Sequence, residues 1–208
     1  MIKERLENII GAPIRTFFPL LTDAFDFLRA LYYLPLKSDI IFISHPKAGR
    51  TWLRVMLNEI FNLQYGLEGG VLKNLWTTAY EFLEKSKHNQ NIPKIIFSHL
   101  DSDRLYYLNP RRKIRFSRNK KYIILVRDPR DILVSYYFQL SKRTVKHPVS
   151  GMNLSTFVRS AYLQNLLIFM NRVENARKNS RNVFLIRYED LHQNVKCEFK
   201  KLLNFMEI

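Results

Sequence analysis

The 208-residue sequence holds a single cysteine, Cys197. One thiol excludes an intramolecular disulfide and any cysteine-rich metal site; Cys197 falls in a helical pattern and is expected to be packed rather than reactive. The five histidines are scattered, with no His-x-x-x-His pair, so no structural or catalytic metal is expected. No Gly-Lys-Ser or Gly-Lys-Thr occurs, so the nucleotide-triphosphatase loop motif is not met. No strand-ending carboxylate stands out to hold Mg²⁺ opposite such a loop, and kinase or ATPase chemistry is disfavoured. A clean apolar run is missing as well. The start, MIKERLENIIGAPIRTFF, mixes acidic and basic residues, unlike a secretory signal. The stretch FFPLLTDAFDFLRALYYLPL is broken by Asp23, Asp26, Arg29 and two prolines, a poor membrane span. The expected location is therefore cytoplasmic. Residues 1–38 read as an N-terminal extension, helical and packed on the core, with peripheral membrane contact as the less common fate of such an amphipathic stripe.

Acidic residues are few: 18 Asp and Glu face 34 Lys and Arg, for a formal charge of +16. Such a field draws in anions, whether an anionic small molecule, a lipid surface or nucleic acid, without choosing among them. The densest run, RRKIRFSRNKK at 111–121, reads first as a solvated loop, and nucleic-acid or acidic-glycan binding is the minority reading there. At 47% hydrophobic residues the chain can offset its ordering entropy, and its length suits one domain with a sizeable core.

Four short runs are almost continuously apolar: IIFIS at 40–44, KIIFSH at 94–99, YIILVR at 122–127 and VFLIRY at 183–188. That pattern predicts parallel strands covered on both faces. Helical patterns separate them. One starts near Arg50 or Thr51, with Trp52, Val55, Met56, Glu59 and Ile60 marking its buried stripe. Others span Asp128–Leu140, Leu154–Lys178 and Leu191–Phe205, the first of these with Pro129 suited to a first helical turn. The alternation predicts an α/β fold of three layers, a central parallel sheet flanked by helices, with right-handed crossovers. Ligands in such sheets bind beyond the carboxyl ends of the strands. The candidates are then Ser44 to Arg50, Ser98 with His99, Arg127 with Asp128, and Tyr188 with Glu189. The polar connection at 141–153 reads as a mobile lid.

In SHPKAGRTWLR, at 44–54, a strand runs into PKAG and then a helix. Unpaired backbone N–H groups and the helix dipole converge there on one point, which suits an anion. Lys47 adds a charge and Thr51 a hydroxyl. The plain alternative is an ordinary turn with Lys47 in water. Arg127 could likewise serve only a salt bridge with Asp128 or Asp131.

Taken together, these segments resemble the sulfotransferases that use 3′-phosphoadenosine 5′-phosphosulfate (PAPS). PKAGRTW is similar to that family's PKSGTTW loop. YIILVRDPRDILVSYYF resembles its second signature, VFLIRYEDL its third, and KIIFSHL the segment bearing its catalytic histidine, all in the family's order over residues 39–208. The resemblance implies a P-loop-like fold and sulfuryl transfer from PAPS to a hydroxyl or amine acceptor, be it a small molecule, lipid or glycan. It implies Lys47 and His99 as catalytic residues, with His99 the base and Lys47 stabilising the transferring group and the leaving phosphate. Lys47, Ala48, Gly49, Arg50, Thr51, Trp52, Arg127, Ser135 and Tyr188 are the implied cofactor-binding residues, Trp52 and Tyr188 on the adenine side. For a sugar acceptor, Asp101 or Asp103 would be the alternative base. Trp76 is assigned to the core or acceptor pocket, His45 to loop packing, and Glu189 with Asp190 to anchoring a strand end and capping the next helix. The chain departs from the family in having Arg at position 50 instead of Thr, and in lacking the Gly-Ser-Trp between the second and third signatures. The Arg-Lys-Gly element that completes the 3′-phosphate site has no counterpart before FMEI, which implies a site closed otherwise or a weakened one. The competing expectation is a non-catalytic binder of an anionic nucleotide, nucleic acid or polysaccharide.

Overall fold

A computed structural model describes residues 38–67, 81–87, 89–99, 116–143 and 147–208. The expected extension as far as residue 37, Trp76, Asp101 and Asp103 lie outside the described residues. Strands β1 (Ile40–Ser44), β2 (Ile95–Ser98), β3 (Lys121–Val126) and β4 (Val183–Arg187) form one sheet in the order β2-β1-β3-β4, and every pairing is parallel. The α-helices among the described residues are α1 (Arg50–Tyr65), α2 (Glu81–Ser86), α3 (Pro129–Phe138), α4 (Leu154–Val158), α5 (Ala161–Lys178), α6 (Tyr188–Gln193) and α7 (Val195–Met206).

All five residues of β1 are buried, although neighbours along a strand point to opposite faces. Both faces of the sheet are therefore covered, which is the three-layer arrangement expected from the apolar runs. Ile40, Phe42, Phe97, Ile123 and Leu125 belong to the main core, where Phe42 stacks on Phe97 with ring centres 4.6 Å apart. β4 departs from the pattern. Ile186 is buried and Phe184 stacks on Phe205 of α7 at 5.4 Å, while Leu185 is exposed, because this last strand of the order is packed on one face only.

The elements differ in detail from the sequence expectations. Tyr188 opens α6 rather than ending the fourth strand. The helical segment 154–178 breaks before Ser160, whose side chain accepts from the Tyr162 N–H and starts α5. The last helical segment begins early, at Tyr188, and restarts where Asn194 caps α7 by accepting from the Cys197 N–H at 3.1 Å. Cys197 is exposed, contrary to its expected packing: it sits in the first turn of α7, while Phe199, Leu202 and Met206 carry that helix's buried face. On α1 the deepest face is Leu53, Arg54, Leu57 and Phe61, one position round from the expected stripe, and Glu59 is exposed. The expected lid is anchored where it is described. A π-turn at Gln139–Arg143 and a 3₁₀ turn at Pro148–Gly151 bury Leu140 and Val149, and the Tyr137 hydroxyl donates to the Met152 carbonyl at 2.9 Å.

The strand order positions the site. Chain passage from β1 leads to β2 on one side, whereas β3 pairs on the other, so the sequence reverses direction across the sheet between β1 and β3. The carboxyl ends flanking such a reversal splay their loops apart and leave a crevice. No helix among the described residues is long and apolar enough to cross a membrane.

Candidate active site

The loop after β1 reaches α1 through residues 45–49. Lys47 has φ 72° and Gly49 φ 99°, with Ala48 between them at negative φ. Alternating backbone handedness of this kind turns successive N–H groups toward one concavity, a common anion cradle. The Ala48 N–H is already committed, donating to the His45 carbonyl at 3.3 Å, and Ala48 itself is buried. The first turn of α1 has no side-chain cap and no acidic residue. Its amides at Arg50, Thr51 and Trp52 thus keep the partial positive charge of a helix start. Thr51 is exposed beside them.

Lys47 stands among cations. Burial, then the Arg143 and Arg127 guanidinium groups, push its ammonium below the ordinary lysine value. Arg143 was not anticipated from the sequence, since the π-turn that brings it near the loop has no distinctive pattern. Arg127, at the end of β3, donates through Nη1 to the Lys47 carbonyl at 3.3 Å. Its Nη2 lies 3.5 Å from Asp131 Oδ2, a long contact for a salt bridge, and its buried Nε has no hydrogen-bond partner. The alternative pairing with Asp128 is absent because Asp128 caps α3 and binds Arg130. Arg127 is therefore incompletely satisfied and tied to the loop rather than only to a carboxylate.

Tyr188 completes this cluster. The Arg127 Cζ lies 4.3 Å from the centre of the Tyr188 ring, and the Trp52 ring approaches it edge-on at 5.6 Å. His192 adds a third ring, 6.1 Å from Trp52 and 6.0 Å from Tyr188. Glu189 Oε1 accepts the Asp128 N–H at 2.7 Å and so joins the start of α6 to the end of β3. This is the anchoring expected of Glu189, whereas Arg187, at the cap position before α6, makes no side-chain capping bond. Ser135 lies two turns into α3, half-buried, and no hydrogen bond among the described residues links it to Arg127.

His99 follows β2, whose Ser98 pairs in register with Ile43 of β1. This brings the imidazole beside Ser44, and Nδ1 donates to the Ser44 carbonyl at 2.7 Å. The proton is thereby fixed on Nδ1, leaving Nε2 as the basic nitrogen. Burial, then the Arg50 guanidinium, pull the His99 pKa down to about 3. Arg50 is itself lowered to about 10 by burial and by Arg54 one turn along. Arg54 is buried and lies over the Phe97 ring at 5.6 Å. His45 is buried, donates through Nδ1 to the Pro46 carbonyl at 2.8 Å, and meets the Phe169 and Tyr136 rings edge-on, the packing role expected of it. Among the described residues no cluster of His, Cys, Asp and Glu is arranged to hold a metal.

The crevice thus collects a backbone cradle, the cations Lys47, Arg50, Arg127 and Arg143, and a neutral imidazole at the ends of adjacent strands. Comparison with known proteins agrees with the family resemblance. The family model described as "Sulfotransferase domain" matches residues 37–208. A guinea pig (Cavia porcellus) 3-alpha-hydroxysteroid sulfotransferase is 29% identical over 91% of this chain and 66% of its own length. Sulfotransferase 6B1 of Danio rerio is 24% identical over 83% of this chain and 57% of its own, and an amine sulfotransferase of Oryctolagus cuniculus 26% identical over 81% and 56%. The chain spans less than two thirds of the length of these relatives. A solved mouse sulfotransferase, SULT7A1 complexed with PAP, aligns at a TM-score of 0.48 and 21% identity over 83% of this chain and 58% of that one, too loosely to bear on the site. With its family signature running from β1 to α7, the chain belongs to the sulfotransferase-domain family.

Proposed function

We propose that this chain transfers a sulfuryl group from PAPS to a hydroxyl or amine acceptor. The observation that carries the reading is the pairing of two anion-receiving centres across the β1/β3 crevice: the uncapped loop at 47–52, and Arg127 with its unpartnered Nε. PAPS carries a 5′-phosphosulfate and a separate 3′-phosphate, and two such centres fit it. A single phosphate would leave one of them unused.

In this reading PAPS supplies the sulfuryl group on a phosphate leaving group. Lys47, Gly49, Arg50 and Thr51 hold the 5′ end, with Ala48 shaping the turn. Arg127 and Ser135 take the 3′-phosphate, while Trp52 offers an aromatic surface on the adenine side. His99 receives the acceptor's proton at Nε2 as the acceptor attacks sulfur, and Lys47 balances charge on the phosphate oxygen that departs. Catalysis of this kind is mostly positioning and charge stabilisation.

A histidine held near pKa 3 is a weak base while Arg50 is unopposed. Burial is the larger cause of that low value and Arg50 the second, so a bound dianion beside Arg50 offsets the second cause and raises the imidazole basicity in part. The base would then strengthen when the donor is in place, which disfavours idle proton uptake. The relatives named for steroid and amine substrates make a small hydroxyl or amine compound the first acceptor class to try, with lipids and glycans next.

The test has two stages. Titration with 3′-phosphoadenosine 5′-phosphate (PAP) should raise the melting midpoint, because a ligand of the native state stabilises it. An acceptor panel with labelled PAPS should then yield labelled product. No midpoint shift at high PAP would sink the reading, and binding without turnover on any acceptor would leave the non-catalytic binder.

A further inference from the structure

The two anion-receiving centres come from different strands, so something must set their separation. The Tyr188 ring touches both. Its face carries the Arg127 guanidinium, with Cζ 4.3 Å from the ring centre. Its edge is pressed against Gly49, where an added Cβ would stand 2.5 Å from Cδ2 and 2.8 Å from Cε2. Arg127 in turn donates to the Lys47 carbonyl at 3.3 Å, closing a ring of contacts from loop to tyrosine to arginine and back to the loop. The neighbouring Glu189 fixes the base of Tyr188 by accepting the Asp128 N–H, next to Arg127 itself, at 2.7 Å.

We propose that Tyr188 is a positioning residue that couples the two halves of the PAPS site, seating the Arg127 fork for the 3′-phosphate while backing the Gly49 turn of the 5′ loop. The inference rests on the PAPS reading. It differs from the adenine contact implied by family resemblance, because here a ring face is already given to a guanidinium. Without the ring, the Arg127 guanidinium keeps the Lys47 carbonyl at 3.3 Å and the Asp131 carboxylate at 3.5 Å. Its fork would then turn toward that exposed carboxylate and away from an incoming phosphate. The contribution expected of Tyr188 lies in its π-face, not its hydroxyl.

PAP and adenosine 5′-phosphate differ only by the 3′-phosphate, so the ratio of their affinities reads this coupling directly. Calorimetric titration of the parent, Tyr188→Phe, Tyr188→Leu and Tyr188→Met would supply the ratios, with circular dichroism melts reporting folding. The phenylalanine variant should keep the parental ratio. The leucine variant should lose about five- to thirtyfold in PAP affinity, with a smaller loss for adenosine 5′-phosphate, the range expected for removing a partly desolvated cation–π contact. Methionine keeps side-chain bulk without a π-face, and should repeat the leucine result if leucine fails to fold. In an Arg127→Ala background, removing the ring should leave the ratio unchanged. Equal losses for both ligands would point to an adenine contact and overturn the proposal, as would a phenylalanine variant no better than leucine. A parent that binds neither ligand would remove the PAPS reading, and this inference with it.

Discussion

Replacing Gly49 by alanine tests the tightest contact of the site without any ligand. The new Cβ would stand 2.5 Å from Tyr188 Cδ2, well inside van der Waals contact, and the backbone there has φ 99°. The struck atom is near the root of an aromatic ring held by Arg127 and Trp52, so it cannot simply swing aside. Left-handed backbone at a residue with a Cβ costs about 1–2 kcal/mol and overpacking typically about 1–3, so the substitution should destabilise the protein by roughly 2–5 kcal/mol. For a chain of this size that lowers the melting midpoint by about 4–20 °C. Adding Tyr188→Ala removes the clash but not the backbone strain, so the double variant should be more stable than the sum of the two single losses by about 1–3 kcal/mol, the overpacking share. Thermal melts of the four proteins by circular dichroism give the cycle. A Gly49→Ala protein melting with the parent, or strict additivity in the double variant, would refute the close approach of Gly49 and Tyr188.

Lys47→Ala should leave the fold intact and reduce transfer about 10²–10³-fold, the size of effect expected for one preorganised charge at a developing oxyanion, as read by labelled-sulfate turnover. His99 has its folded pKa pulled down from 6.5 to about 3. Its contribution to stability is therefore full above about pH 6.5 and is lost as pH falls from there toward 3, so urea midpoints of the parent should fall more steeply over that window than those of His99→Gln. Replacing Arg50 by methionine removes the largest depressing influence after burial and should raise the His99 pKa, seen as a shifted imidazole titration by NMR; an unmoved titration would separate the two residues. Glu189→Ala deletes a charge-assisted hydrogen bond to the Asp128 N–H and should cost about 1.5–3 kcal/mol, together with weaker PAP binding as Arg127 loses its footing.

Much of the fold was readable because each apolar run is short, unbroken and separated by a helical pattern. IIFIS became β1 to the residue, and the cradle at 47–49 follows from its Gly and the helix after it. Harder to read was anything that depends on which strand lies beside which. Arg127 meets Lys47 only because β3 pairs with β1, a consequence of the crossover path and not of local pattern. Arg54 looks solvated in RTWLRVMLNEIF, yet it is buried because its long side chain lies along the Phe97 ring. Tyr188 was expected at a strand end facing adenine. Its place in the first turn of α6 also puts its ring under Arg127, and no sequence motif encodes that contact. Arg143 was missed for a similar reason, because a π-turn rather than a motif sets its position.

The sheet also settles where the sulfotransferase domain can be handled. Asp39 donates to the Lys94 carbonyl and accepts from the Lys121 N–H, and Lys121 pairs with Glu207 at 2.8 Å. The residues leading into β1 and those closing α7 therefore meet at the amino ends of the strands, while the cradle and Arg127 sit at the carboxyl ends. A five-residue strand separates the two rims by about 16 Å. A reporter or surface tether joined after Ile208 would start on the rim away from the crevice, leaving ligand entry unobstructed in a binding measurement on immobilised protein.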